Sequence, residues 1–275
     1  MTRLEIIEAK RHLKYCMELW KLKSDEKSFI STSSLLQRVT YRNLPAMIKV
    51  PIEPEEKWGS ALMTWWDGDG AAKVYNQWND VILMERIDGH HSLVDLVKRG
   101  ADDDASKIIC TVAKKLHQPR RKELLELIPL EVWFKELFPA ARRHGGVLEV
   151  CSLTARELLD QQEQVTVLHG DLHHKNVLFS EERGWLAIDP KRLIGEFGFD
   201  YANIFCNPDI ETALKPGRLA KQLEVVAKEA DLSKKRLLKW IIAWGGLSAT
   251  WLLNDGGKNH LDLRIVEIAI GELEL

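Results

Sequence analysis

Residues 165–203 read VTVLHGDLHHKNVLFSEERGWLAIDPKRLIGEFGFDYAN. An apolar strand leads into His169-Gly170-Asp171, and Asn176 follows after an interval that can turn both side chains toward one cleft. A hairpin that turns at residues 182–184 then places Asp189 after a second apolar strand. The pattern predicts that Asp171, Asn176 and Asp189 face one another on rigid supports.

This set of side chains suits phosphoryl transfer. That reaction needs a carboxylate beside the attacking hydroxyl and oxygen ligands that hold Mg²⁺ against nucleotide phosphates. An aspartate and an asparagine amide are such ligands. Two other interpretations are open at this point: Asp171 as an ordinary turn residue, and a metal cluster of these aspartates with His169, His173 and His174 in a metallohydrolase.

The motifs also resemble those of a known family. The runs HGDLHHKNVLF and GWLAIDP resemble the catalytic segment of the aminoglycoside phosphotransferase superfamily, whose fold is similar to that of eukaryotic protein kinases. The run IDPKRLIGEFGFDYAN, followed by Asn207-Pro208, is similar to the aminoglycoside 6-phosphotransferase (streptomycin kinase) and hydroxyurea kinase family.

The resemblance implies a role for each polar residue of the segment. Asp171 would be the catalytic base, Asn176 and Asp189 would bind Mg²⁺, and His169 would brace the catalytic loop. Asp200 would anchor that loop through its backbone, although a plain helix N-cap would also explain an aspartate at this position.

The chain also contains a candidate lysine for the nucleotide phosphates. Lys49 interrupts the strand pattern of residues 46–50, and a lysine on an inner sheet face is costly unless it is paired. By analogy with the family's spacing we predict Glu56 of the following helix as its partner, with Glu55 as second choice. The alternatives are an exposed edge-strand lysine and acidic residues that favour a helix N-terminus.

The nucleotide contacts are predicted from two further segments. Residues 31–34 are Ser-Thr-Ser-Ser, without the glycines of a protein-kinase phosphate loop, and we predict phosphate contacts from Ser33 and Ser34. In the fold implied by the resemblance, the apolar strand near residue 85 leads into the hinge. The predicted adenine contacts, mostly main-chain, are Glu85, Arg86 and Ile87.

The order of elements predicts an α+β fold with two lobes, and the resemblance implies that this two-lobed fold is protein-kinase-like. A small β-rich lobe, residues 1–88, would contain an N-terminal helix, short strands and a helix at about 54–66. A larger, mainly helical lobe, residues 89–275, would contain the catalytic segment and bind substrate. We expect ATP and Mg²⁺ in the cleft.

Composition excludes several classes of function. The net charge of −2 without a basic stripe argues against nucleic acid, and the longest apolar stretches are too short for a membrane span. The four well-separated cysteines are typical of reduced thiols, and the charged N-terminus lacks a signal core, so we expect a cytoplasmic protein. We expect a monomer or a homodimer.

The sequence says least about the acceptor, the molecule that receives the phosphoryl group. The resemblance implies an aminoglycoside such as streptomycin, or hydroxyurea. Because an aminoglycoside is polycationic, we predict carboxylate contacts from Asp171, Glu196, Asp209 and Glu211. The alternatives are a housekeeping metabolite kinase of the same fold and a nucleotide-binding pseudokinase that serves as a regulatory module.

Overall fold

The computed structural model describes residues 2–257 and 261–274, without the side chains of residues 54 and 55. The chain divides into two compact units. The first unit comprises Met1–His90, Arg121–Leu125 and Leu178–Arg192, and the second comprises His91–Arg120, Glu126–Val177 and Leu193–Leu275. Residues 165–203 are thereby divided between the units: residues 178–192 belong to the first unit, and the residues on either side of them belong to the second.

The first unit is built on an antiparallel sheet. Its strands are β1 (Lys23–Ser24), β2 (Phe29–Ile30), β3 (Ser34–Tyr41), β4 (Leu44–Pro51), β5 (Val74–Trp78) and β6 (Val81–Glu85). They pair in the order β1-β3-β4-β6-β5, with β2 also on β3. Lys49 of β4 therefore lies between Leu36 of β3 and Ile82 of β6, in the middle of the sheet. The exposed edge-strand position is excluded for this lysine.

Two helices accompany this sheet. Helix α1 (Arg3–Leu19) begins with a capping box, in which Thr2 and Glu5 satisfy each other's backbone N–H. Its buried side chains pack on an apolar cluster that includes Val39 and Ile48. Helix α2 (Pro54–Trp66) begins at a proline, a residue that the first turn of a helix tolerates because no N–H is needed there. The helix ends at Asp67, whose backbone is in the left-handed conformation.

The rest of the first unit includes a hairpin. Strands β7 (Ile128–Pro129) and β8 (Val165–Leu168) come next in the chain and belong to the second unit. The hairpin is formed by β9 (Val177–Ser180) and β10 (Gly184–Ala187). Ala187 bonds to residues 70 and 72 through both its main-chain groups. The hairpin that was predicted before Asp189 is confirmed, and it belongs to the unit of the main sheet.

The second unit is mainly helical. Its α-helices are α3 (Leu93–Lys98), α4 (Asp102–Leu116), α5 (Leu130–Trp133), α6 (Leu137–His144), α7 (Val147–Asp160), α8 (Phe199–Ala202), α9 (Ile210–Ala213), α10 (Arg218–Ala230), α11 (Lys234–Asn254) and α12 (Leu261–Glu274). A short sheet has the order β7-β11-β8, where β11 is Leu193–Glu196. We predicted neither β7 nor β11.

One predicted helix is wrong in its length. The spacing of apolar residues predicts a single helix over residues 130–143, but the chain forms α5, a 3-10 turn at Phe134–Glu136, and then α6. Pro139 gives the reason, because a proline has no N–H to donate to the carbonyl four residues earlier.

Close packing of helices forms the core of the second unit. Trp240, Phe134 and Phe199 are buried and meet edge to face or tilted. In α11, a β-carbon at Gly246 would lie 2.3 Å from that of Cys151 in α7, so this contact requires glycine. Among the residues described, no helix is both long and apolar enough to cross a membrane.

Candidate active site

The first unit brings Lys49, Glu56 and Asp189 together. The Lys49 ammonium donates to Glu56 Oε2 at 2.5 Å and to Asp189 Oδ1 at 2.7 Å. The side chains of Lys49 and Glu56 are almost fully buried, whereas that of Asp189 is 35% exposed. Glu56 is thus the partner of Lys49, as predicted from the family spacing; the side chain of Glu55 lies outside the described part.

Their charges stabilise one another. Burial by itself lowers the pKa of the Lys49 ammonium, but the negative charges of Asp189 and Glu56 outweigh burial, and the pKa is raised. Burial alone would raise the pKa of Glu56, but the positive charges of Lys49 and Lys191 outweigh burial, and the pKa is lowered. Both groups therefore remain ionised at neutral pH.

Asp189 is held in an uncommon backbone conformation. Its φ is +62°, in the left-handed region that a non-glycine residue rarely adopts. The residue directly follows the β10 end of the hairpin, and Pro190 follows it. Such strain clusters at functional sites, where the surrounding structure enforces it.

The serine loop folds back on itself. Ser31 Oγ accepts from the Ser34 N–H and donates to the Ser34 carbonyl. Ser34 Oγ is buried without a hydrogen-bond partner among the described residues. The Ser33 carbonyl accepts from the N–H groups of Ile52 and Glu53. These contacts do not favour the predicted phosphate contact of Ser34, because both its N–H and its hydroxyl are turned into the protein.

The predicted adenine-binding residues have main-chain bonds of their own. The N–H of Glu85 donates to the carbonyl of Lys73 at 2.9 Å, and the N–H of Arg86 points at the carbonyl of Pro45 at 3.5 Å. The Arg86 side chain pairs with Asp25 at 2.7 Å. These bonds make Ile87 the strongest of the three candidates for a main-chain adenine contact.

The second unit holds Asp171 through amide donors on both carboxylate oxygens. Asn203 Nδ2 donates to Asp171 Oδ1 at 2.8 Å, and Asn176 Nδ2 lies 3.2 Å from Oδ2. Asn176 also donates to the Asp171 carbonyl at 2.8 Å, and Asn207 Nδ2 donates to Asn203 Oδ1 at 2.8 Å. This amide chain fixes the direction in which the carboxylate points.

Asp200 lies beneath the same loop and is fully buried. Its carboxylate accepts from the N–H of His169 at 2.8 Å and of Gly170 at 2.7 Å, and it bonds His117 Nε2 at 2.8 Å. Burial alone would raise the pKa of Asp200, but these hydrogen bonds and the charge of the neighbouring His117 lower it. His169 in turn accepts from the Asp171 N–H through Nδ1 at 3.2 Å.

The predicted substrate carboxylates differ in their surroundings. Glu196 is fully buried, where it bonds Arg236, the Trp240 indole and a backbone N–H. These contacts favour a structural role in place of the predicted substrate contact. Asp209 caps α9 by accepting from the Thr212 N–H at 2.9 Å, and Glu211 is exposed on that helix.

Asn176 and Asp189 each retain an oxygen atom of the kind that magnesium prefers. Asn176 uses its amide nitrogen on Asp171, which leaves the amide oxygen as the donor atom for a metal, and Asp189 offers a second carboxylate oxygen beyond the one on Lys49. Magnesium is usually held by one or two such groups together with phosphates and water. Within residues 2–257 and 261–274, no cluster of three or more His, Cys, Asp or Glu that suits a metal occurs.

Sequence reasoning missed three residues that contact the predicted ones. They are Lys191 on Glu56, Asn203 on Asp171 and His117 on Asp200. Lys191 and Asn203 both lie in the run IDPKRLIGEFGFDYAN that carries the resemblance, which was the available signal. No sequence motif pointed to His117, because it is distant in sequence from its partner Asp200.

The fold matches those of solved kinases. A crystal structure of an aminoglycoside phosphotransferase in a ternary complex with ADP and hygromycin B superposes with a TM-score of 0.64 at 12% identity, covering 95% of this chain and 96% of that one. At this identity the likeness shows the fold alone. It confirms the predicted two-lobed kinase-like class, with a β-rich N-terminal part and a helical C-terminal part.

Sequence comparison identifies the family. The model of the aminoglycoside/hydroxyurea antibiotic resistance kinases matches residues 19–256. The streptomycin 3''-kinase of Klebsiella pneumoniae is 45% identical over 245 residues, which cover 87% of this chain and 92% of that protein. A streptomycin 6-kinase of Streptomyces griseus is 25% identical over 265 residues, or 88% and 82% of the two chains.

The chain therefore belongs to the aminoglycoside/hydroxyurea antibiotic resistance kinase family. It is a small-molecule kinase, that is, a phosphotransferase with a small-molecule acceptor. Kinase relatives imply the use of ATP.

Proposed function

We propose that this protein is an ATP- and Mg²⁺-dependent kinase that phosphorylates streptomycin on the 3''-hydroxyl. The relative with 45% identity acts, by its name, on that position, and the relative with 25% identity is named for position 6. The single structural observation that supports a working kinase is the carboxylate of Asp171, which accepts an amide N–H on each oxygen.

The chain's own residues have these proposed roles. Lys49, held by Glu56, orients the nucleotide phosphates. Ile87 contacts the adenine, and Ser33 contacts the phosphates. Asn176 and Asp189 hold magnesium, which when bound neutralises charge on the phosphates. His169 and Asp200 brace the loop that carries Asp171.

Asp171 accepts the proton of the acceptor hydroxyl. The hydroxyl oxygen forms a bond to the γ-phosphorus, the bond from that phosphorus to the β–γ bridging oxygen breaks, and ADP leaves. The amide donors on Asp171 keep its lone pairs directed, so most of the catalytic effect is positioning and charge stabilisation.

Asp209 and Glu211 remain proposed contacts for the cationic groups of an aminoglycoside. We propose residues 1–88 as the nucleotide-binding lobe and residues 89–275 as the catalytic and substrate-binding lobe. We also propose that the protein acts in the cytoplasm, as a monomer or a homodimer. The buried, unbridged state of Cys16, Cys110, Cys151 and Cys206, all in the described part, supports a reducing compartment.

The test is turnover of ATP with streptomycin, hydroxyurea and a small amino alcohol as acceptors. We expect phosphorylated streptomycin, with the phosphate located on the 3''-oxygen by NMR. Asp171→Ala should lower kcat by at least about a hundredfold. Asp104→Ala, at an exposed acid of α4, serves as the control.

Each alternative gives a different result. Product at position 6 would overturn the proposed position, and turnover of the amino alcohol alone would support a metabolite kinase. Nucleotide binding without any phosphorylated product would support the pseudokinase.

A further inference from the structure

The carboxylate of Glu56 is held by two ammonium groups, one on each oxygen. Lys49 donates to Oε2 at 2.5 Å, and Lys191 donates to Oε1 at 2.7 Å. The Glu56 side chain is only 7% exposed and that of Lys191 only 16% exposed, so both charges are largely removed from water. The pair of Lys49 and Glu56 is thus extended by a second lysine, Lys191, on the other carboxylate oxygen of Glu56.

Lys191 lies two residues after Asp189, and Asp189 accepts from Lys49 at 2.7 Å. The four side chains therefore alternate in sign along a chain of ion pairs: Lys191, Glu56, Lys49, Asp189. Buried charges are tolerated when each has an opposite partner, and removal of one partner leaves another charge uncompensated.

The backbone of α2 is also in direct contact with this segment. A β-carbon at Gly59, one turn after Glu56, would lie 2.1 Å from the carbonyl oxygen of Pro190. Only glycine permits that approach. The contact between Gly59 and Pro190 and the ion pair between Lys191 and Glu56 are therefore neighbouring attachments of α2 to residues 189–191.

We infer that Lys191 is a positioning residue for phosphoryl transfer: it fixes Glu56 and the start of α2, and through Glu56 it fixes Lys49. The inference rests on the proposed function. Without Lys191, Glu56 Oε1 loses its ammonium partner, and a buried carboxylate oxygen without one favours a shift of the side chain or of α2 toward water. Lys49 then loses its fixed place on the nucleotide phosphates.

The first test compares Lys191→Met, Lys191→Arg and, as a control, Lys57→Met at an exposed lysine of the same helix. We expect Lys191→Met to lower kcat/KM for ATP about ten- to a hundredfold, since small displacements of a catalytic group have effects of that size. Lys191→Arg should retain most of the activity because a guanidinium also donates to Oε1. Lys57→Met should match the wild type.

The second test asks whether Lys191 acts through Glu56. In a background of Glu56→Gln, Lys191→Met should cause no further loss, because the residue that Lys191 holds no longer carries charge. A full additional loss in that background would overturn the inference, since it would mean direct action on the nucleotide. Equal activities of Lys191→Met and the Lys57→Met control would overturn it as well.

A third measurement does not depend on turnover. Hydrogen exchange of the α2 amides, residues 55–66, should be faster in Lys191→Met than in the wild type when no nucleotide is present, and Lys191→Arg should restore protection. Unchanged exchange would contradict the inference even in an active enzyme. If the wild type phosphorylates no acceptor but the exchange difference between it and Lys191→Met is present, only the proposed function would be contradicted.

Discussion

At the scale of single residues, the direction of the Asp171 carboxylate depends on Asn203. Asn203 is buried, and its amide nitrogen donates to Asp171 Oδ1 while its oxygen accepts from Asn207. A carboxylate that loses one of two fixed donors can rotate, and a rotated base no longer faces the hydroxyl.

We therefore predict that Asn203→Leu, which keeps the branched shape but removes the amide, lowers kcat about tenfold or more. The KM for ATP should change little because, among the described residues, Asn203 bonds Asp171 and Asn207, and neither is proposed to contact the nucleotide. Steady-state kinetics with streptomycin measure both. Asn254→Leu, at an exposed asparagine of α11, is the control, and a change in KM alone would contradict the prediction.

Asp200 gives a prediction about pH. Its carboxylate accepts from the loop N–H groups and from His117, and these bonds hold its pKa below the ordinary value of 3.8. A group with a lowered folded-state pKa stabilises the fold above its unfolded pKa, and this contribution disappears as the pH falls through the folded pKa.

Asp200→Asn should therefore lower the free energy of unfolding by about 2–3 kcal/mol at pH 7, because charged hydrogen bonds are lost. The difference between wild type and variant should be constant from pH 7 to about pH 5 and should shrink below the ordinary carboxyl pKa. Urea unfolding across this range measures it. A difference independent of pH down to the acid transition would mean that the charge of Asp200 contributes nothing.

At the scale of elements, two glycines in neighbouring helices provide a matched pair. A β-carbon at Gly246 in α11 would lie 2.3 Å from the β-carbon of Cys151, whereas one at Gly271 in α12 has nothing within 4 Å. We predict that Gly246→Ala lowers stability by about 1–3 kcal/mol through overpacking. Gly271→Ala should raise stability by up to about 1 kcal/mol through helix propensity. Thermal unfolding of both variants measures the contrast, and equal shifts would show that the helices adjust freely.

Secondary-structure elements with local sequence signals could be predicted, and elements without such signals could not. Helix α2 and the hairpin β9–β10 follow from local signals, a proline start and a glycine turn, and both are confirmed. Strands β7 and β11 are short and pair with partners distant in sequence, so no local pattern reports them. Lys49 could be predicted because one charge interrupts an apolar strand, and Glu56 could be predicted from the spacing in the family that the chain resembles. Asn203, in contrast, lies among buried residues as an ordinary polar side chain.

At the scale of the whole molecule, the compact units are not continuous in sequence. Residues 121–125 and 178–192 belong to the unit of the N-terminal sheet, although the chain order suggests a single division near residue 88. Long-range pairing, such as the main-chain bonds of Ala187 with residues 70 and 72, produces this arrangement. Asp189 is thereby part of the unit that carries Lys49.

That placement predicts how the whole protein responds to nucleotide and metal. A ligand that binds only the folded state stabilises it by mass action, by about 2.7 kcal/mol at a hundred times its Kd. We expect ATP with Mg²⁺ to raise the unfolding temperature of the wild type, and EDTA to remove most of that increase. Asp189→Asn should lose the magnesium-dependent part, because a neutral amide replaces the proposed carboxylate ligand while still able to face Lys49. Asp80→Asn, at an exposed turn of the first unit, should respond as the wild type does. An equal response of the Asp189 variant to magnesium would exclude this aspartate as a ligand, and the proposed metal site would have to be sought elsewhere.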